Sequence, residues 1–205
     1  MVPIWSAERI EQSRSGKVAR IDCFRAHPRA ASVSDLRNDY DEDQYDQGHL
    51  TPAADQDSSV TAMVNTSFYT NMAPQRGGFN RGIWKGLETV VRSWIEKRKT
   101  VYVITGSIFD RDGDGLKDPD MLAKRMLPRR GPAPVAVPTA FYKIVTCRPE
   151  DGSLSTLAIL LPHEVVRDSG LQRGACFQEH VVPVAEIERR TGIDFSGHER
   201  TPGRA

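Results

Sequence analysis

The sequence has almost no net charge, because 28 lysine and arginine residues stand against 27 aspartate and glutamate residues and the formal charge is +1. The net charge therefore does not indicate a nucleic-acid partner, and any surface that binds one must be a local positive patch. No apolar run is long enough to span a membrane, so we expect no membrane partner. With 39% hydrophobic residues in 205, the composition favours one globular domain over residues 1–205.

Cysteine is also scarce, and none of the three cysteines forms a CxxC pair (Cys23, Cys147 and Cys176). One disulfide with a spare thiol and three free thiols are both compatible with this count, so the redox compartment stays open. The first ten residues lack the basic and then apolar pattern of a signal peptide. The location is therefore unknown, and a secreted or periplasmic one stays open if a leader was removed.

The pattern of apolar residues predicts an α+β (mixed α/β) domain. Residues 1–45 are polar and suggest irregular structure, with an acidic solvated loop at 38–43. Residues 58–72 suggest a short helix or a buried strand. From about 80 to 99, apolar residues recur at helical spacing and predict an amphipathic helix. Strands are predicted at 100–105, 139–146 and 154–161, and 180–188 reads as a strand that leads into a helix.

Three short segments carry the chemical signal: YDQGHLTPAAD at 45–55, NMAPQ at 71–75 and FNRGIWKGLE at 79–88. Each is ordinary alone, since a histidine after a glycine is often structural and an asparagine before a helix is often a cap. Together they supply the parts of phosphodiester hydrolysis. The imidazole of His49 suits proton removal from water near neutral pH, and the carbonyl of Asn80 can hold Mg²⁺.

Glu88 fits an outer-shell role better than direct metal ligation. It lies eight residues beyond Asn80, which is roughly 12 Å along a regular helix. At that distance a carboxylate would reach a metal-bound water more readily than the ion itself.

These segments resemble the DNA/RNA non-specific endonucleases with a DRGH motif, the endonuclease G-like enzymes of the ββα-metal type. Asp46–Asp55 is similar to the DRGHLAPAAD block, Asn71–Gln75 to the SNM-PQ block and Asn80–Glu88 to the LN-x-G-x-W-x-x-LE block. Later segments, VYVITGSIF at 101–109, VPTAFYKI at 137–144 and VAEIERRTGIDF at 184–195, also match. The resemblance covers about residues 20–195 and implies a ββα-metal nuclease fold whose central antiparallel sheet is flanked by helices.

The resemblance implies a Mg²⁺-dependent enzyme, with Mn²⁺ as a substitute, that hydrolyses DNA and RNA with little base specificity. In this reading His49 is the general base, Asn80 holds the ion, Glu88 orients metal-bound water and Asn71 shapes the site. A homodimer and an inhibitor protein remain open as further partners.

Two departures bear on activity. Gln47 stands where the motif has arginine, and an amide cannot make the bidentate phosphate contact of a guanidinium. The family also has an upstream phosphate-binding arginine, which the segment 20–29 could supply from several positions. Candidates for the phosphate contact are Arg25, Arg29, Arg76 and Arg81. The alternative function is a catalytically weakened nuclease-fold module that binds nucleic acid or a protein.

A second metal site is suggested by carboxylates at alternating positions, Asp110, Asp112 and Asp114, with Asp118 further on. This is the first half of an EF-hand-type Ca²⁺ loop, although the twelfth position is Met121 in place of the bidentate glutamate. An Asp/Gly-rich turn without metal is the simpler alternative. A calcium-organised interaction domain is the third functional hypothesis.

Overall fold

A computed structural model describes residues 2–12, 16, 18–30, 44–119, 121–126, 134–149, 152–164 and 174–195. The strands are β1 Trp5–Glu11, β2 Tyr45–His49, β3 Met72–Arg76, β4 Thr100–Ile108, β5 Arg125–Met126, β6 Val135–Ala136, β7 Ala140–Cys147, β8 Ser155–Pro162 and β9 Val181–Val182. The α-helices are α1 Val60–Asn65, α2 Gly77–Phe79, α3 Lys85–Arg98 and α4 Val184–Thr191. The acidic stretch at 38–43 lies outside the described residues.

A five-stranded antiparallel sheet in the order β1-β4-β7-β8-β9 forms the centre of the domain. One face packs on α3 through apolar residues that include Leu87, Val91 and Val103. The other face packs on α4, where Ile187 meets Ile144 and its neighbours. A sheet buried on both faces explains why β7 is apolar almost throughout. The α+β class and the central antiparallel sheet are confirmed.

A separate hairpin of β2 and β3 leads directly into the helical segment that begins at Gly77. In its register His49 lies opposite Met72 and Asp46 opposite Gln75. Gly48 is required there, because a Cβ at this position would lie 2.3 Å from Cδ of the buried Gln75 side chain. Hairpin and helix together form the ββα unit that the sequence resemblance implied.

The prediction of irregular structure over residues 1–45 was wrong at β1. Trp5–Glu11 is an edge strand that pairs along its whole length with β4. Its half-buried positions include Ser6 and Glu8, and only Ile10 is a fully buried apolar residue. Because polar side chains occupy the inward face, the strand lacks the apolar alternation by which sequence reasoning finds strands.

Other elements follow the sequence closely. The segment 58–72 holds helix α1 and a 3₁₀ turn at Tyr69–Asn71, so its helical interpretation is the correct one. The predicted helix over 80–99 begins earlier, at Gly77, and ends at Arg98. None of the helices in the described part of the chain is long and apolar enough to cross a membrane.

Candidate active site

His49 ends β2 with its imidazole half-buried and its edge against the ring of Phe24, at a centroid distance of 5.8 Å. The Nε2 atom is buried and has no hydrogen-bond partner among the described residues. Burial, reinforced by the positive charge of Arg20, lowers the pKa of His49 to about 4. The imidazole is therefore neutral at pH 7 and able to accept a proton.

Asp46, three residues earlier on β2, fixes the side chain of Asn80. Asn80 Nδ2 donates to Asp46 Oδ2 at 2.9 Å, and Arg81 donates to both carboxylate oxygens at 2.9 and 2.5 Å. Burial works to raise the pKa of Asp46, but the hydrogen bonds from Arg81 and Asn80 outweigh it and lower the pKa. Because its amide nitrogen is committed, Asn80 offers Oδ1 as the atom that can hold a metal ion.

Asn80 is not the N-cap of a helix, because it lies within the helical segment that starts at Gly77. It opens a kinked segment, Asn80–Trp84, in which Gly82 departs from helical geometry at φ −99° and ψ −109°. The spacing of a regular helix therefore does not measure the separation of Asn80 and Glu88.

Glu88 lies in the first turn of α3. Burial raises the pKa of its carboxyl to about 7, and the nearby charge of Asp55 adds to the rise. The positive charge of Lys143 opposes both effects. At neutral pH the Glu88 carboxyl is thus balanced between its protonated and ionised forms.

Asn71 shapes the loop that follows His49. Its Oδ1 accepts from the backbone N–H of Thr51, and its Nδ2 donates to the carbonyls of Thr51 and Thr66, each at 2.9 Å. Both ends of the amide are therefore occupied by backbone groups. Gln47, the other residue of the motif, lies half-buried on β2 opposite Pro74.

The four candidate arginines lie in different settings. Arg81 is mostly exposed and contacts Asp46. Arg25 donates to the carbonyls of Cys23 and Val64 and stacks over Phe68, so its guanidinium is engaged within the fold.

Arg76 lies 5.6 Å from the ring centroid of Tyr45, and Arg29 is exposed. In the same upstream segment, Arg20 pairs with Asp22 at 2.9 Å, and both charges act on His49. Sequence reasoning pointed to the segment 20–29 without selecting Arg20.

The sequence model of the DNA/RNA non-specific endonuclease family matches residues 1–200. The chain belongs to this family. It is 32% identical to the nuclease EXOG, mitochondrial, of Danio rerio, over 94% of this chain and 55% of the relative. It is 32% identical to the mitochondrial nuclease of Saccharomyces cerevisiae, over 77% and 47%, and 29% identical to human mitochondrial endonuclease G, over 94% and 63%. The chain thus spans about half to two thirds of the length of these curated relatives.

A solved structure of the EndoG/EndoGI complex, described as revealing the mechanism of EndoG inhibition, superposes with a TM-score of 0.78 at 29% identity. The match covers 95% of this chain and 78% of that one. The ββα-metal fold implied by the sequence is thereby confirmed for this endonuclease-family chain.

Next to the site, this member of the endonuclease family has a partly buried charge cluster that sequence reasoning missed. It consists of Glu8 on β1, Asp55, Glu88 and Arg92 on α3, and Lys143 on β7. Arg92 pairs with Asp55 at 2.6 Å, and burial raises the pKa of Glu8 to about 8. Strand alternation gave a usable signal, since it places Lys143 on the same buried face as its apolar neighbours two residues away.

The acidic loop after β4 brings carboxylate oxygens of Asp110, Asp112 and Asp114 within 4.8 Å of one another, so the cluster could hold a metal ion. Asp110 already accepts from the backbone N–H groups of Gly113 and Gly115, at 2.9 and 3.1 Å, and from Arg190 Nη1 at 3.1 Å.

Asp118 is directed to another part of the same loop. Its Oδ2 accepts from the backbone N–H of Arg111 at 2.5 Å. Met121, at the twelfth position, is exposed. The loop is therefore closed largely by its own backbone and by Arg190.

Proposed function

We propose that the chain is a Mg²⁺-dependent endonuclease that hydrolyses phosphodiester bonds of DNA and RNA, with His49 as general base and Asn80 as metal ligand. The observation that carries the proposal is the orientation of two side chains on one ββα unit. Asp46 holds the Asn80 amide by its nitrogen, at 2.9 Å, while His49 on the same strand keeps a buried Nε2 without a described partner. A base and a metal-ligand oxygen are thus both left available.

His49 would take the proton from the attacking water. Its lowered pKa keeps the imidazole neutral, which is the form a general base needs, throughout the neutral range. General base catalysis of this kind contributes roughly 10²–10⁴-fold to a rate. Loss of the imidazole should therefore slow turnover by roughly 10²–10⁴-fold, because His49 is the group proposed to take the proton.

The donor set around Asn80 fits a hard divalent cation. Its amide oxygen is the kind of ligand that Mg²⁺ uses, and Glu88 can accept hydrogen bonds in the outer shell of the ion. When bound, Mg²⁺ or Mn²⁺ supplies the positive charge that stabilises the developing negative charge on the phosphate. Asn71 supports this arrangement by fixing the backbone after His49.

Phosphate contacts should come from the arginines at the mouth of the site. Arg81 is exposed beside Asp46, and Gln47 can donate a neutral hydrogen bond where the motif has a guanidinium. Arg29 and Arg76 remain candidates further out, whereas Arg25 would first have to release its contacts within the fold. The substitution at Gln47 also supports the second candidate function, a nucleic-acid or protein-binding module with weakened catalysis.

Calcium at 110–118 is the subsidiary proposal. The cluster of Asp110, Asp112 and Asp114 supports it, and the hydrogen bonds already made by Asp110 and Asp118 weigh against it. Titration calorimetry with CaCl₂, compared between the wild type and Asp112→Asn, would test it directly. A homodimer and an inhibitor protein are also proposals, the latter supported by the inhibitor complex of the structural neighbour.

Incubation of supercoiled plasmid and of single-stranded RNA with the purified chain and Mg²⁺ tests the main proposal. We expect both to be degraded, and EDTA or His49→Ala to prevent degradation. His180→Ala is the matched control, because His180 ends a 3₁₀ helix before β9 and takes no part in the proposed chemistry. Plasmid that stays intact with folded wild-type protein, while salt-sensitive binding persists, would establish the binding module instead.

A further inference from the structure

Lys143 is an unusual residue to find inside a sheet. It lies on the central strand β7 and is 1% exposed. Its Nζ donates to Thr105 Oγ1 on β4 at 2.7 Å and lies 4.8 Å from the ring centroid of Trp84. A buried ammonium is costly unless charges around it compensate. The groups around Lys143 therefore indicate the role of its positive charge.

Those neighbours place Lys143 beside the helix face that carries Glu88. Trp84, the N-cap of α3, and Glu88 are four residues apart, and residues with this spacing share one face of a helix. Arg92 continues the same face one turn further on. Lys143, held against Trp84, thus lies between the sheet and the face on which Glu88 stands.

The sheet beneath this face carries a polar row. Ser6, Thr105 and Lys143 are neighbours in register across β1, β4 and β7. Thr51 Oγ1 donates to Ser6 Oγ at 3.1 Å, which ties the row to the loop after His49. Glu8 lies two residues beyond Ser6 on the same face, and its Oε2 accepts from Gln56.

Two carboxylates and two cations make up the charges facing Glu88. Asp55 contributes from the turn after His49, Glu8 from β1, Arg92 from α3 and Lys143 from β7. Arg92 is already engaged by Asp55 at 2.6 Å. The positive charge of Lys143 lowers the pKa of Glu8, of Asp55 and of Glu88, against the burial that raises all three. Lys143 is thus the cation shared by the cluster.

We propose that Lys143 is a positioning residue for Glu88: anchored by Thr105, its buried ammonium attracts the Glu88 carboxylate and keeps it available as an acceptor beside the metal site. The inference rests on the proposed function, because it needs Glu88 as an acceptor in the active site. It assigns to the sheet core a part in the reaction, in which Lys143 acts through Glu88.

The ionisation of Glu88 can be measured without metal or turnover. In protein labelled with ¹³C at the glutamate side-chain carboxyl, Glu88→Gln identifies the Glu88 signal. We expect Lys143→Met to raise the titration midpoint of Glu88 by about one pH unit or more. Lys143→Arg should bring the midpoint most of the way back to the wild-type value. Lys85→Met is the matched control, because Lys85 is an exposed lysine on the same helix, and it should leave the midpoint unchanged.

Activity gives a second readout. In Lys143→Met the acid limb of the pH profile of kcat/KM should move to higher pH by the same amount as the Glu88 midpoint. At pH values above the shifted midpoint, kcat should largely recover. A merely structural lysine would lower the rate at every pH without moving the limb. An unchanged Glu88 midpoint in folded Lys143→Met overturns the inference.

If Lys143→Met does not fold, Thr105→Val removes only the anchor of the ammonium and keeps the lysine. We expect a smaller midpoint shift in the same direction, and no shift there overturns the inference. If the Glu88 midpoint shifts as expected in these variants but the wild-type chain shows no metal-dependent cleavage, the proposed function is overturned instead. The two failures are thereby told apart.

Discussion

Two regions of the molecule contain oxygen atoms that could bind a metal ion, and the hydrogen bonds around those atoms are arranged in opposite ways. In the ββα unit, Asp46 accepts the N–H groups of Asn80 and Arg81, which leaves the Asn80 amide oxygen available. In the loop after β4, backbone N–H groups and Arg190 occupy the carboxylate of Asp110. The acidic loop has more carboxylates, yet the Asn80 amide oxygen of the ββα unit is the more available ligand. The number of acidic residues is therefore a poor guide to a metal site, and the hydrogen bonds they already make are a better one.

Asp46→Ala should produce the largest effect on this contrast. Without Asp46 the Asn80 amide can rotate and Arg81 loses its partner, so we expect Mn²⁺ to bind roughly 10–100-fold more weakly. Titration calorimetry and the Mg²⁺ dependence of cleavage both measure the change. Glu96→Ala, which removes an exposed carboxylate from α3, is the control. Unaltered Mn²⁺ affinity in Asp46→Ala would remove the basis for calling the Asn80 oxygen oriented.

Arg190→Met tests the other half of the contrast. Asp110 is almost fully buried and would lose its cationic partner, so the free energy of unfolding should fall by roughly 1–3 kcal/mol. Urea denaturation measures the loss. Arg189→Met is the matched control, because Arg189 pairs with the more exposed Glu186 and its loss should cost less. Equal losses in the two variants would show that Arg190 does not organise the loop.

Glu8→Gln is expected to have a smaller effect that depends on pH. Burial raises the pKa of Glu8 from its ordinary 4.5 to about 8, so the folded chain binds a proton that the unfolded chain releases between these values. Wild-type stability therefore falls as pH rises from about 4.5 to 8. Glutamine mimics the protonated form and avoids this loss.

The free energy of unfolding of Glu8→Gln, relative to that of the wild type, should therefore rise by roughly 1–2 kcal/mol between pH 5 and pH 9. This range already allows for the partial exposure of Glu8. Urea denaturation at the two pH values measures the difference. Glu96→Gln, at an exposed position, should show no such trend. A constant difference between Glu8→Gln and wild type would mean that Glu8 ionises normally.

Sequence reasoning was strongest where local pattern and chemistry coincide. The amphipathic spacing of α3 and the apolar runs of β7 and β8 follow from packing on a common core, so their bounds were close. It failed at β1 and at the charge cluster for one shared reason. Glu8 and Lys143 face inward as charged residues, and single-sequence patterns assign charges to the surface. Only the fold reveals that these charges compensate one another between β1, β7, the turn at Asp55 and α3.

Gln47→Arg addresses the most evident departure from the motif and should have the smallest effect. Gln47 is half-buried on the strand that carries Asp46 and His49, so a guanidinium there can reach the substrate side of the hairpin. A charge-assisted bidentate contact to phosphate is about twice as strong as a neutral hydrogen bond, and we expect kcat/KM on plasmid to rise about 3–10-fold. The salt dependence of KM should steepen, because one more phosphate is neutralised. Gln47→Lys separates geometry from charge, since it adds a positive charge without the fork and should recover less of the gain. A Gln47→Arg variant no faster than wild type would show that Arg81, Arg20 or another cation already meets the phosphate, and that this chain has reassigned the contact rather than lost it.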